Sequence, residues 1–260
     1  MAEAKKTTKS AVKTVDPMLK QLLESGAHFG HRKDRWNPKM KPYIYGVKGG
    51  VHIIDLTQSL VQLTDAKKFV EEACKKGGSV LFVGTKRQAK AIVQKAAQDA
   101  GMPYVTNRWL GGMLTNLETI QSRINKLKKL EADQAEGKLT GTKKEKAEQE
   151  REMEHLSKIF AGIAEMKELP SIVFVSDILV DDIAVAEATK LGIPVVAICD
   201  TNTNPENIAY PIAANDDAVK TISLVATEIS ESAKRGQEMY RAKTQEAEAK
   251  QAAKTNQEEK

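Results

Sequence analysis

"SVLFVGTKRQAKAIVQKAAQDAGMPYVT", Ser79–Thr106, decides the fold. It begins with an unbroken apolar run, Val80–Val83, the pattern of a strand covered on both faces. A segment with Ala and Ile at helical spacing follows, and "MPYVT" reads as a further strand. Strand, helix and strand in this order make a βαβ unit, whose two strands run parallel.

The alternation extends to both sides. "VHIIDL" from Val51 is a short β-branched run, followed by helical spacing through Leu60, Leu63, Phe69 and Val70. Downstream, "SIVFVSD" and "IPVVAICD" read as strands flanking "VDDIAVAEATKLG", a helix closed by Gly192. "PIAAND" is a short strand end and "DAVKTISLVATEIS" the closing helix. Runs this short and apolar do not suit a half-exposed antiparallel sheet. The expected fold is α/β, a doubly wound, mostly parallel sheet with helices on both faces.

Residues 115–168 interrupt it. Leu117, Ile120, Ile124 and Leu127 are spaced 3, 4, 3, and Met153, Leu156, Phe160 and Ile163 repeat that spacing around a polar, glycine-punctuated middle. Two such seams predict an inserted antiparallel coiled-coil hairpin, whose arms of about 20 residues would project roughly 30 Å; the alternative is two ordinary helices folded onto the sheet, and the narrow stripe with charge-rich flanks favours projection. At the other end, Asp16 and Pro17 open a short helix that Gly26 closes, and "RKDRWNPKMKPYIYGVKGG" is mostly loop around a short "YIY" strand. The expected organisation is a disordered basic extension (1–16), the first part of the α/β domain (17–114), the hairpin (115–168), the second part (169–235) and a helical or disordered charged tail (236–260).

Charge divides the chain. Residues 1–130 carry 24 Lys+Arg against 10 Asp+Glu, a net +14, whereas residues 171–235 carry 4 against 10, a net −6. A basic first half suits a polyanion, through phosphate neutralisation and counterion release. An acidic second half suits a different partner. Cys74 and Cys199 lie far apart in apolar contexts and read as buried thiols in a reducing cytosol. No apolar run approaches the roughly 18 residues of a membrane span, and the basic N-terminus lacks the apolar core of a secretory signal. The expected location is cytoplasmic.

Ligands of an open parallel sheet bind beyond the carboxyl ends of its strands. There, "GTKRQAKA" has one glycine before Thr85, Lys86 and Arg87, a cationic helix start suited to phosphate but unable to enclose a dinucleotide. No P-loop, Gly-x-Ser-x-Gly, His-Glu-x-x-His or Cys-x-x-Cys occurs in the chain. No enzyme activity and no cofactor are expected. His28 and His31 in "HFGH" have a spacing that can supply two metal ligands, which Asp200, Asp216 and Asp217 at strand ends would complete. The alternative is that these histidines pack or hydrogen-bond at the sheet edge. His52 reads as a sheet-face residue and His155 as solvated.

"LLESGAHFGHRKDRWNPKMKPYIYG", "HIIDL", "LFVGTKRQA", "NRWLGGMLTN", "LPSIVFVSD" and "LGIPVVAICDTNTNP" together resemble the bacterial small-subunit ribosomal protein two family, over about residues 17–235. The resemblance implies a flavodoxin-like or Rossmann-like domain carrying a coiled-coil hairpin. It further implies a late-assembling component of the small ribosomal subunit, between head and body on the solvent side. Such a component binds small-subunit rRNA and helps hold the large RNA-binding ribosomal protein one near the mRNA exit.

The residues fit beside this. Arg32, Lys33, Arg35, Lys39 and Lys41 give five cations within ten residues, interleaved with Trp36 and Tyr43, and Lys86 and Arg87 add charge. Such cations position a protein on phosphates more than they read sequence. In "NRWLGGMLTN", Arg108 is placed to reach phosphate, and Trp109 and Leu110 read as packing at the hairpin root rather than stacking on a base. Gly111 and Gly112 allow a sharp turn and Thr115 or Asn116 caps the next helix. The loop reads as a rigid joint. Arg123, Lys126, Lys128 and Lys129 of the hairpin are further rRNA candidates. Asp181, Asp182, Asp216 and Asp217 are the expected contacts of the acidic half to a protein, the large ribosomal protein one. A phosphate-ligand enzyme on the same fold and a protein scaffold working through the hairpin are the competing readings.

Overall fold

A computed structural model describes residues 16–136 and 143–258; all but Asp16 of the expected N-terminal extension (1–16), and residues 137–142 of the expected hairpin, lie outside them. In chain order the elements are α1 (Pro17–Ser25), β1 (Phe29–Arg32), β2 (Ile44–Lys48), β3 (Val51–Ile54), α2 (Leu56–Cys74), β4 (Val80–Val83), α3 (Lys90–Asp99), β5 (Tyr104–Val105), α4 (Leu117–Ala135), α5 (Lys143–Phe160), β6 (Ile172–Val175), α6 (Asp182–Lys190), β7 (Val195–Cys199), β8 (Tyr210–Ala213) and α7 (Val219–Glu258).

Five strands form a wholly parallel sheet in the order β5-β4-β6-β7-β8. The chain steps outward from β4 to β5, then returns past β4 to β6, β7 and β8. That reversal puts a topological switch point between β4 and β6, the strand order of flavodoxin-like sheets. Successive side chains of the unbroken apolar runs face opposite layers. Val80, Phe82, Ile172, Phe174, Val196 and Ile198 pack with α2, α3 and α7 in one core. Leu81, Val83, Val173, Val175, Val195 and Ala197 pack on the other face with α6, the roots of α4 and α5, and Met40 and Ile54. Each such side chain contributes about 1.5–3 kcal/mol when fully removed from water, so both faces of the sheet are cores.

The expectation of one mostly parallel sheet missed a second sheet. β1, β3 and β2 form a separate antiparallel unit in the order β1-β3-β2. Its runs are short, and three of the five residues of β2 are exposed, Tyr45 at 82% and Val47 at 54% among them. Within "HFGH", His28 ends the turn before β1 and His31 lies inside the strand, and His28 does not join the group of possible ligands around His31.

The interruption forms α4 and α5, with Ile120, Ile124 and Leu127 buried alongside Leu156 and Phe160. Lys126 pairs with Glu152, Lys128 with Glu165 at 2.8 Å, and the Gln121 amide donates to the Lys167 carbonyl at 2.7 Å. The closing helix, α7, is continuous through Gly236 to Glu258. Among the described residues no helix is long and apolar enough to cross a membrane.

Candidate nucleic-acid interface and the closed crevice

The basic segment is shaped from below. The Thr201 hydroxyl accepts from the His31 amide at 2.8 Å, and the Thr201 carbonyl accepts from the Asn37 amide at 2.7 Å. Both bonds pin residues 31–37 to the end of β7. Asn37 then caps the following 3-10 turn, Pro38–Tyr43, by accepting from the Lys39 amide at 3.0 Å, and Met40 buries itself beneath that turn. With its apolar side chain inside, the turn leaves Lys39 and Lys41 outside, beside exposed Arg32, Lys33 and Arg35. Arg32 meets Asp34 at 3.0 Å and Lys39 pairs with Glu206, both on the surface where such pairs hold weakly and yield to a competing phosphate. Trp36 lies against the buried His52, ring centroids 5.2 Å apart. Arg87 and Arg108 are also exposed.

Lys86 is not. The helix expected to start at Thr85 starts at Lys90, after a turn in which the Lys86 carbonyl accepts from the amides of Ala89 and Lys90. The turn folds the Lys86 ammonium into the switch-point crevice. There it donates to Asp216 Oδ1 at 2.8 Å and the Asp216 carbonyl at 3.0 Å, and meets Asp177 Oδ2 at 3.0 Å and Asp217 Oδ1 at 2.7 Å. Lys86 is therefore corrected from a phosphate contact to an internal cation. Burial alone would lower its pKa, but hydrogen bonds from the ammonium to Asp216, Asp217 and Asp177 raise it. Burial and the charges of Asp177 and Asp200 push the Asp216 carboxyl up to about 7, against the pull of Lys86.

Two expected partner-facing acids also lie inside. Asp181 is buried, accepting from the Thr85 amide and hydroxyl at 3.2 and 2.7 Å, and Asp216 is buried against Lys86. A carboxylate so engaged has no surface to offer a partner. Asp182 and Asp217 remain exposed.

Of the expected metal set, His31 and Asp216, with Asp217, bring ligand atoms within 4.8 Å of one another. Asp200 stands behind them, its Oδ2 3.1 Å from His31 Nδ1, which fixes the ring with Nε2 toward Asp217 at 3.7 Å. Bonding to Asp200 raises the His31 pKa against the lowering effect of burial. Three donors of this kind suit a divalent cation, but Lys86 already sets a positive charge between two of them. His28 falls outside the group and rests on Phe29, ring centroids 4.0 Å apart.

The loop Asn107–Asn116 is organised by a residue that periodicity does not single out. The Glu187 carboxylate, buried on α6, accepts at Oε1 from Trp109 Nε1 (3.2 Å) and the Gly112 amide (2.7 Å). At Oε2 it accepts from the amides of Leu114 and Thr115 and the Thr115 hydroxyl, each at 3.0 Å. Burial pushes this carboxyl up, and the amides of Thr115, Gly112 and Leu114 with the indole more than reverse that, leaving it below its ordinary value. Gly112, at φ +92°, makes the turn that aims these amides inward. Trp109 is packed as expected, only 6% exposed. Of the two expected caps, Asn116 takes the position but makes no side-chain bond to an amide of the helix. Thr115 is spent on Glu187, and Asn116 accepts instead from the Thr119 hydroxyl.

The chain thus combines a flavodoxin-like sheet, whose crevice holds ion pairs centred on Lys86, with an exposed run of cations pinned to its strand ends. Comparison with known proteins identifies its family. The sequence profile of the ribosomal protein S2 family matches residues 22–236. The chain is 50% identical over 214 residues to the small ribosomal subunit protein uS2 of Bdellovibrio bacteriovorus, covering 82% of this chain and 68% of that one. It is 50% identical over 221 residues to that of Coprothermobacter proteolyticus (85% and 82%) and 47% identical over 237 residues to that of Corynebacterium urealyticum (90% and 88%). The chain belongs to the ribosomal protein S2 family, whose members are named as ribosomal components and not as enzymes.

Proposed function

We propose that this chain is a structural, non-catalytic component of the small ribosomal subunit in the cytoplasm, and that it binds small-subunit rRNA through Arg32, Lys33, Arg35, Lys39 and Lys41, with Arg87 and Arg108. The observation that carries the reading is the exposed cationic run, held to the end of β7 by two hydrogen bonds to Thr201. A run fixed at both ends loses little conformational freedom on docking, so its charges act together on a phosphate backbone. The paired helices α4 and α5 act as a coiled-coil arm, their shared apolar seam supporting that reading, and Arg123 and Lys129 on its exposed side reach further rRNA. The acidic half faces a protein, the large RNA-binding ribosomal protein one, through Asp182 and Asp217.

The test is binding of the full chain to small-subunit particles lacking it, across a salt series, beside a variant with Arg32, Arg35, Lys39 and Lys41 all changed to Gln. Losing four phosphate contacts lowers the log–log salt slope by about 3. Tight binding with an unchanged slope in the variant would overturn rRNA recognition by this segment and shift the weight to protein contacts.

A further inference from the structure

Three large aliphatic side chains stand out of the acidic half within five residues. Leu179, Val180 and Ile183 are 52%, 50% and 50% exposed. They are held there by built contacts. Asp177 Oδ1 accepts from the amides of Leu179 (2.8 Å) and Val180 (3.1 Å), and the opposite oxygen of Asp177 meets Lys86 at 3.0 Å. Asp181, tied to Thr85, closes the same turn from behind. The ion pairs that fill the crevice therefore also fix an apolar knuckle in water, an arrangement that favours a partner.

The knuckle borders a groove of about 500 Å³ between α6 and the loop before β8. Ile178, Leu179, Val185 and Ile208 supply its apolar lining, with Asp182 toward one end of α6 and Lys190 at the other. Eight residues of helix separate these two charges by about 12 Å. We infer that this groove docks a segment of a neighbouring small-subunit protein, aliphatic in the middle, with a Lys or Arg seated at Asp182 and an acidic group at Lys190.

Charge selects this occupant. Residues 171–235 carry a net −6, and Asp182 stands at the knuckle itself, so an RNA backbone would meet repulsion beside an aliphatic surface that offers no ring to stack on. A second copy would set Asp182 against its own kind unless turned end for end. The inference depends on the reading that the chain sits in the small subunit with its acidic half toward protein.

A photo-crosslinking benzophenone side chain placed at Ile183, and separately at Leu179, in the full chain tests it. The chain is bound to particles lacking this protein, irradiated, and the product mapped after ribonuclease and protease digestion. The expected result is a protein crosslink, at both positions, to one segment with aliphatic residues flanked by a cation and an acid. Asp182→Lys should lower its yield at least fivefold, counted per chain bound to particles. A crosslink to RNA or to a second copy, no crosslink from well-bound chain, or a yield indifferent to Asp182→Lys would each overturn the inference and leave the rRNA reading standing. Failure of the unaltered chain to bind particles would overturn both.

Discussion

Glu187→Gln isolates the joint that sets the α4 root against the sheet. The wild-type carboxylate receives five hydrogen bonds on two oxygens. A glutamine keeps the shape but has one acceptor. Turned toward Leu114 and Thr115, its oxygen satisfies three donors, while its NH2 faces two more, Trp109 Nε1 and the Gly112 amide. Each donor so stranded costs about 1–3 kcal/mol, and the charge assistance of the remaining three is lost as well, so about 3 kcal/mol overall is expected. In a chain of this size that lowers Tm by roughly 6–12 °C. Thermal unfolding followed by near-ultraviolet circular dichroism reads it. The sign with pH follows from the depressed carboxyl. Its contribution is complete above the unfolded carboxylate value and is lost as pH falls through the lower folded one. The gap between wild type and variant should therefore narrow as the pH falls through the ordinary glutamate range and below it. A variant as stable as wild type at pH 7, or a gap that stays constant on acidification, would refute the argument.

Lys86→Met leaves Asp177 and Asp216 buried without their cation and should cost about 3–5 kcal/mol, read as a lowered urea midpoint at pH 7.5; a loss under 1 kcal/mol would mean the crevice is wetter than its burial indicates. Gly162→Ala would put a Cβ 2.2 Å from the Tyr104 carbonyl oxygen, a backbone atom that cannot swing aside. A loss of about 2–4 kcal/mol is expected in the same assay, and neutrality would show that the turn after α5 does not seat against β5 as described.

What the sequence made legible follows a physical divide. The runs "VLFV", "IVFV" and "VVAIC" announce strands buried on both faces because every side chain in them is apolar, and the structure places them at the centre of the parallel sheet. The antiparallel pairing of β1, β3 and β2 was illegible for the opposite reason, although "YIY" and "VHIIDL" could be read as extended runs. "FGHR" and "IYGVK" alternate too weakly, and their pairing depends on contacts with Thr201 and Asp55 that no local pattern encodes. Charge sites divide in the same way. Arg32–Lys41 lies in a segment whose prolines and cations keep it outside, so its exposure could be read. Lys86, Asp181 and Asp216 looked like surface charges because a single sequence does not show that strand ends remote in the chain bring them together. Glu187 looked like an ordinary helical glutamate, and only the spatial arrival of the Trp109–Thr115 amides gives it a role.

Lys86, Asp177 and Glu187 together explain how a fold suited to small ligands serves as a scaffold. In an open parallel sheet the crevice at the switch point exists because adjacent connections depart to opposite faces, leaving backbone and side chains there with polar groups to satisfy. A cofactor normally answers that need. Here the Lys86 ammonium enters the crevice and takes two buried carboxylates as partners, with Asp217 at its rim. One of those carboxylates, Asp177, in turn fixes the turn at Leu179 and Val180. A ligand that displaced Lys86 would strand Asp216 and release that turn, so occupancy of the crevice and rigidity of the outer loops oppose each other. By spending the crevice on its own charges, the domain holds three surfaces in fixed relation: the cationic run at Thr201, the α4 root at Glu187 and the apolar knuckle beside α6. Under the proposed function, fixed relation between surfaces is what a ribosomal component with RNA and protein neighbours must supply.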